Sequence, residues 1–402
     1  MINLLKQITI WLFTIILLTG CTTGKREINH LAIVMGVGLD QVENEEGEKQ
    51  IQITAQVVRP ADARGQTGSP SGQTGEPVWS ITATGGSIFD AIRNLGSFSS
   101  RNIFWAHTSV IVINEDLAKE GIHDIIDFFS RNPELRMRTW VAVTPNKASE
   151  LISTMTSLEV IPAESVSNLF NFSPITRAAP RTQMLDLLSA YLSVGGNPYL
   201  ARLEVKPTSI SNKTPEKGTT INNVTLAGTA VFKDDKMIGT LTSKETRALL
   251  LFIEDIQSGV VVLPCEDDEL SFELKHDSVS VAPSYKNKKV EFDLDIQTKV
   301  RLVEAGCPVN FDNTKRVEEL EKEVEKGVKA DIEAMLDKVQ KEFGVDILEA
   351  ANTFNNKYPA EWKEIKDDWD TYFKEAKYNI TIDAHLDSGV LLYPPIKPQS
   401  EE

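Results

Sequence analysis

The chain has 402 residues, 41% of them apolar and 25% charged, and a formal net charge of −16. An acid excess of that size argues against a nucleic-acid partner and against a body lying flat on anionic lipid. Its three cysteines, Cys21, Cys265 and Cys307, are too few for a disulfide-built scaffold, so the fold must rest on apolar cores; the length suits two or three domains.

The first residues form a unit of their own. Met1–Gln7 carries one lysine, Lys6, and Ile8–Leu18 is apolar but for threonines. Leu18-Thr19-Gly20-Cys21 follows, and the chain turns polar at once. A basic start, a short apolar run and small residues before a cut read as a secretory signal peptide. The run is shorter than the roughly 20 residues that a membrane span needs. Leu-Thr-Gly-Cys resembles the lipobox of bacterial lipoproteins. That resemblance implies cleavage after residue 20 and a diacylglycerol on the Cys21 sulfur; the plainer alternative is an ordinary signal peptide with an incidental cysteine. Two acyl chains hold a protein durably, where one holds only marginally.

Leu31–Leu39 reads as a buried strand, with Gly36 and Gly38 marking a bulge or a close backbone approach. Gln50–Val58 alternates apolar and polar residues as a half-buried strand. Asp62–Pro77, rich in Gly, Ser, Gln and Pro, is expected to be a mobile loop. Val78–Thr84 is strand-like, and Ser87 with Asp90 caps a helix bearing Ile88, Ala91, Ile92 and Leu95. Ile103–Ile113 is predicted as one strand, Glu115–Lys119 and Ile122–Ser130 as helices, and Arg138–Val143 as a strand. This β-α-β-α-β order requires crossovers, so part of the sheet should be parallel and covered by helices.

Beyond residue 145, short helices are expected after Asn146 and over Arg181–Ser193, and a strand over Val224–Phe232 turns at Asp234-Asp235 into Met237–Leu241. Thr242 and Glu245 form a capping box before Arg247–Ile256. Leu270–Leu274, Ser278–Val281 and Val290–Val303 read as strands. Lys315–Phe343 reads as one long helix with a single apolar stripe from Val317 to Phe343, suited to packing on a sheet. Pro359 starts a further helical stretch with Trp362, Ile365, Trp369, Tyr372 and Phe373 inward, and Tyr378–Leu386 is the last strand. The expectation is an α+β chain of three unlike mixed-sheet domains after the signal peptide 1–20: 21–145, 146–265 and 266–394, with a tail at 395–402.

Motifs of catalysis are absent. His30, His107, His123, His276 and His385 are scattered, and no HExxH, GxSxG or Walker spacing occurs. His107 has no nucleophile beside it in sequence, Glu266-Asp267-Asp268-Glu269 lacks the spacing of a calcium loop, and the aromatic stripe around Trp362 has the spacing of a helical core. No catalytic, cofactor or metal residue is therefore assigned. Cys265 and Cys307 lie at strand ends; a disulfide between them and two buried free thiols are both open.

Arg26-Glu27, Leu31-Ala32-Ile33-Val34 and Gly36-Val37-Gly38-Leu39-Asp40 resemble the N-terminal motif of the Ger(x)C family. So do Asp90-Ala91-Ile92-Arg93, Phe104-Trp105-Ala106-His107, Leu117–Gly121 and Asp127–Asn132, and near the other end Asp346-Ile347-Leu348, Lys357–Trp362, Trp369 and Ser388-Gly389. The family's glycine-rich step is replaced here by Glu349-Ala350-Ala351. The resemblance implies a non-enzymatic lipoprotein subunit of a nutrient germinant receptor, anchored by Cys21 to the outer face of the spore inner membrane. Its implied partners are two integral-membrane subunits, an A subunit and a transporter-like B subunit. The competing class is a surface-tethered solute-binding lipoprotein or a cell-envelope hydrolase.

Overall fold

The computed structural model describes residues 30–58, 78–154, 159, 161–210, 220–254, 259–265, 268–307 and 314–387, with 6, 7 and 11. Cys21 and the loop expected over Asp62–Pro77 lie outside the described residues. The α+β class expected from the sequence is the one the chain adopts, and its described strands form two sheets, of nine and four strands.

The first sheet comprises β1 (Leu31–Glu43), β2 (Lys49–Val58), β3 (Val78–Gly85), β4 (Asn102–Phe104), β5 (Val110–Asn114), β6 (Trp140–Thr144), β7 (Tyr199–Ile210), β8 (Thr220–Lys233) and β9 (Lys236–Leu241). Their order is β3-β2-β1-β5-β6-β7-β8-β9, with β4 beside the start of β1. The centre, β1-β5-β6-β7, is parallel, and antiparallel strands extend it on both sides. The parallel strands are joined by helices: α1 (Ile88–Phe98), α2 (Glu115–Glu120) and α3 (His123–Arg131), then α4 (Ala148–Ser153), α5 (Pro162–Thr176) and α6 (Met184–Leu192).

Helices cover both faces of this sheet, as parallel strands require. On one face Val37, Leu39, Ile111 and Ile113 pack against Leu95 of α1 and Ile125, Ile126 and Phe129 of α3. On the other, Val110, Val112 and Ala142 pack against Leu151 and Ile152 of α4 and Val166 and Phe170 of α5. Successive residues of β5 thus serve opposite cores, which is why it reads as an unbroken apolar run.

The single strand expected over Ile103–Ile113 is two. β4 pairs with Leu31–Ile33 and β5 with Gly36–Leu39, and the chain leaves the sheet between them. The register of β1 slips at that level, between Val34 and Gly36. The excursion is a turn in which Thr108 N donates to Trp105 O and Ser109 N to Met35 O. His107 sits in this turn, exposed and edge-on to the Phe104 ring, not in mid-strand.

The second sheet, β10-β11-β12-β13, is built from β10 (Gly259–Cys265), β11 (Asp268–Lys286), β12 (Lys289–Ala305) and β13 (Lys377–Leu386), the last pair parallel. Its inner face, with Leu270, Phe272, Phe292, Leu294 and Ile296, packs on α7 (Ser243–Ile253) and α8 (Thr314–Asp337), which runs on as a π-helical Lys338–Phe343. The same core takes in α9 (Ala350–Lys357), α10 (Pro359–Ile365) and α11 (Trp369–Glu375). Leu320, Val324, Val328, Ile332, Met335 and Leu336 form the buried stripe of α8. On its flank, Glu325 and Glu321 accept from the backbone N–H groups of Ala384 and Leu386. Two carboxylates thereby occupy a stretch of open strand edge that would otherwise invite another strand.

The boundaries expected near 145 and 266 are corrected by the strand pairing. β6 and β7 are neighbours in the first sheet, with Ala142 opposite Ala201, so that sheet runs through position 145. β10, which ends at Cys265, belongs with β11 in the second sheet. A long crossover carrying α4, α5 and α6 separates β6 from β7, and no local signal reveals that its two ends pair.

Candidate functional site

Two buried aspartates organise the molecule, each by seating the start of a helix. The first closes the Gly36-Val37-Gly38-Leu39-Asp40 stretch of β1. Strand alternation puts Gly36, Gly38 and Asp40 on the face covered by α4 and α5. The Asp40 carboxylate accepts from Ala148 N (2.7 Å) and Ser149 N (2.8 Å), the first N–H groups of α4. Helix starts leave such donors unpaired, and a negative group there is favoured by the helix dipole. The glycines make room: a Cβ on Gly38 would stand 2.8 Å from the Ala148 carbonyl carbon and oxygen. On β2, Gln56 donates to Ile152 O at the far end of α4 (2.6 Å) and accepts from Ala163 N of α5 (2.9 Å).

The second aspartate, Asp346, lies where the two sheets meet. Its side chain is buried and accepts from Leu348 N (3.0 Å), Ala350 N (3.1 Å), Ala351 N (2.7 Å) and Trp369 Nε1 (3.0 Å). Its backbone carbonyl accepts from Asn197 N, in the loop leading into β7. Burial pushes the Asp346 carboxyl up to about 6 despite those four donors. Close by, Gly195 (φ +87°) fits against Trp362, Trp369 and Ala351, where a Cβ would find atoms at 2.9–3.0 Å. A Lys233–Asp370 ion pair ties β8 of the first sheet to α11, while Lys338–Glu245 and Lys244–Asp331 tie α7 to α8 and its π-helical extension.

Beside Asp346 a cleft of about 280 Å³ opens between the sheets, lined by Arg181, Asp186, Tyr199, Glu254 and Glu349 among others. Burial raises the Glu254 carboxyl, although it accepts from Arg181 N (2.8 Å). Burial and the nearby Asp186 raise Glu349. The Tyr199 hydroxyl is driven up by burial and by the surrounding carboxylates. No histidine, cysteine or lysine is among the described residues lining the cleft. Among the described residues no cluster of three His, Cys, Asp or Glu side chains is placed to hold a metal ion. The arrangement is a junction between lobes with an electronegative floor.

The residues singled out from sequence fall elsewhere. Cys265, at the end of β10, and Cys307, just past β12, are joined as a disulfide with Cα atoms 6.1 Å apart. Trp362 and Trp369 are core residues against Phe354. Asp268 opens β11, and Glu266 and Asp267 lie outside the described residues. Asp40 and Asp346 had one local signal, a carboxylate inside an apolar run. The cleft had none, because its walls come from three separate stretches of chain.

Residues 24–205 match the family described as "Spore germination protein N-terminal domain", and 227–389 match "Spore germination B3/ GerAC like, C-terminal". The chain belongs to the Ger(x)C family of spore germination proteins. It is 24% identical to the "Putative spore germination protein YfkR" of Bacillus subtilis, over 95% of this chain and 96% of that one. It is likewise 24% identical to "Spore germination protein KC" of the same organism, over 97% of each. The crystal structure of the GerBC protein shares the fold, with a TM-score of 0.57 at 19% identity, covering 87% of this chain and 97% of that one. Asp40 and Asp346 stand inside the two stretches, one near each end, that carry the family resemblance in this sequence.

Proposed function

We propose that this germination protein is the lipid-anchored C subunit of a nutrient germinant receptor, held by Cys21 on the outer face of the spore inner membrane. It acts by contact, assembling with an A and a B subunit that are integral to that membrane. The observation that carries this reading is Leu18-Thr19-Gly20-Cys21 directly ahead of a chain that matches the Ger(x)C family from residue 24. No described helix is long and apolar enough to cross a membrane, so an anchor at Cys21 would supply the attachment. Confinement to a thin layer beside membrane partners raises their effective concentration without any new interface.

The test is a Cys21→Ala chain expressed in sporulating cells. Loss of the protein from the membrane fraction, with loss of the nutrient response, is the expected outcome. A variant that stays membrane-bound would show that the lipid is not the anchor. Turnover of a cell-wall or peptide substrate by the purified body would replace contact with catalysis.

A further inference from the structure

The edge at which the chain enters the fold carries a run of arginines. β1, β4, β5 and β6 are parallel, so they begin on the same side of the sheet. Leu31 lies beside Asn102 there. α1 and α3 are the crossovers that return the chain to this side, ending at Phe98 and Arg131. The segment after α3 rests on the turn after β4, where Trp105 N donates to a Glu134 carboxylate oxygen (3.3 Å). Residues 98–109 and 131–138 are thus one continuous surface next to residue 30.

That surface holds four arginines, Arg101, Arg131, Arg136 and Arg138, against two carboxylates, Glu134 and the adjoining Asp127, in a chain of net charge −16. Arg131, Arg136 and Arg138 are exposed, and Arg131 also reaches Asp127 one turn back along α3 (2.6 Å). Phe98 is 66% exposed at the tip of α1. An exposed aromatic side chain on the same surface as several arginines suits a lipid–water boundary, where rings sit at headgroup level and arginines meet phosphate.

We infer that this edge is the membrane-facing surface of the protein, with its arginines on anionic lipid headgroups and Phe98 at the headgroup boundary. The inference rests on the anchored reading above. From Cys21 to His30 there are nine residues, at most about 32 Å of extended chain. A compact body of this length is about 50 Å across, so the tether cannot present the far side to the bilayer. Charge acts in the same sense. The arginines are drawn to an anionic surface within a Debye length of about 8 Å, while the acidic remainder is repelled. The protein would stand on this edge rather than lie flat.

The experiment uses the lipidated chain floated with vesicles, carrying a nitrobenzoxadiazole fluorophore on the thiol introduced by Phe98→Cys. With Cys21 acylated and Cys265 bonded to Cys307, that thiol is the one available for labelling. On vesicles of phosphatidylglycerol and phosphatidylethanolamine, emission should shift to the blue. A label on Asp383→Cys, exposed on the outer face of the second sheet, should keep its aqueous emission. Arg136→Glu with Arg138→Glu should abolish the shift while the protein still floats. An aqueous spectrum at position 98 in floating protein would overturn the inference and leave the anchor standing. So would an equal shift on phosphatidylcholine vesicles, or one indifferent to the charge reversals. Protein that does not float at all would remove the anchored reading, and this inference with it.

Discussion

Gly38→Ala tests whether the glycines of the first strand exist to seat α4. The added methyl would meet the Ala148 carbonyl carbon and oxygen at 2.8 Å and Ser149 N at 3.2 Å, all of them backbone. Backbone gives way only if the helix moves. The helix is held at its start by the two Asp40 hydrogen bonds and at its end by Gln56 on Ile152 O. Overpacking of this kind costs about 1–3 kcal/mol, and stretching hydrogen bonds to a charged group adds to it, so a loss of about 3 kcal/mol is expected. Gly36→Ala should cost less, because its Cβ meets the side chains of Ala163, Ile152 and Val110. Asp40→Asn releases one of the two N–H partners and lets the helix retreat. The double variant Gly38→Ala/Asp40→Asn should therefore fall short of additivity by about 1 kcal/mol or more. Urea unfolding of the mature chain gives the energies, and hydrogen exchange at Leu151 and Ile152 reads the helix directly. A Gly38→Ala loss below about 0.5 kcal/mol, or strict additivity with Asp40→Asn, would refute the reasoning.

Asp346 sets a pH dependence with a defined sign. Its folded carboxyl, at about 6, lies above the ordinary 3.8, so between those values the folded chain keeps a proton that the unfolded chain has lost. Stability from this group is therefore greatest at acid pH and falls as pH rises towards 6 and beyond. Relative to Asp346→Asn, the wild type should be about 1.4 kcal/mol better off at pH 5 than at pH 7.5, measured by paired urea titrations; a pH-independent difference would sink the assignment. The Cys265–Cys307 bond closes a loop with a sequence separation of 42. Reduction should lower stability by about 4 kcal/mol in the chain-entropy account. Alkylation of the native protein before reduction should leave both cysteines unmodified in the mass spectrum, and labelling of either would show free thiols.

What the sequence determined by itself was local and periodic. The alternation of Gln50–Val58, the Ser87 and Thr242 caps, and the one-sided stripe of Lys315–Phe343 each depend on residues within a few positions of one another. The structure places a strand, two capped helices and a long helix there. The glycines of β1 were legible as a close backbone approach, because a strand interior gives glycine no other advantage. Tertiary structure decided what approaches them: α4, which lies more than a hundred residues downstream and is seated by Asp40. It also decided that Ile103–Ile113 breaks in two, since both halves pair with a β1 whose register slips between Val34 and Gly36. The pairing of β6 with β7 closes a crossover whose ends share no local pattern, and it carries the first sheet through the boundary expected near 145. Asp346 and the cleft beside it follow the same rule. Burial raises a carboxyl only when distant chain removes its water, and here that chain comes from the loop before β7, the end of α7 and the helices after α8.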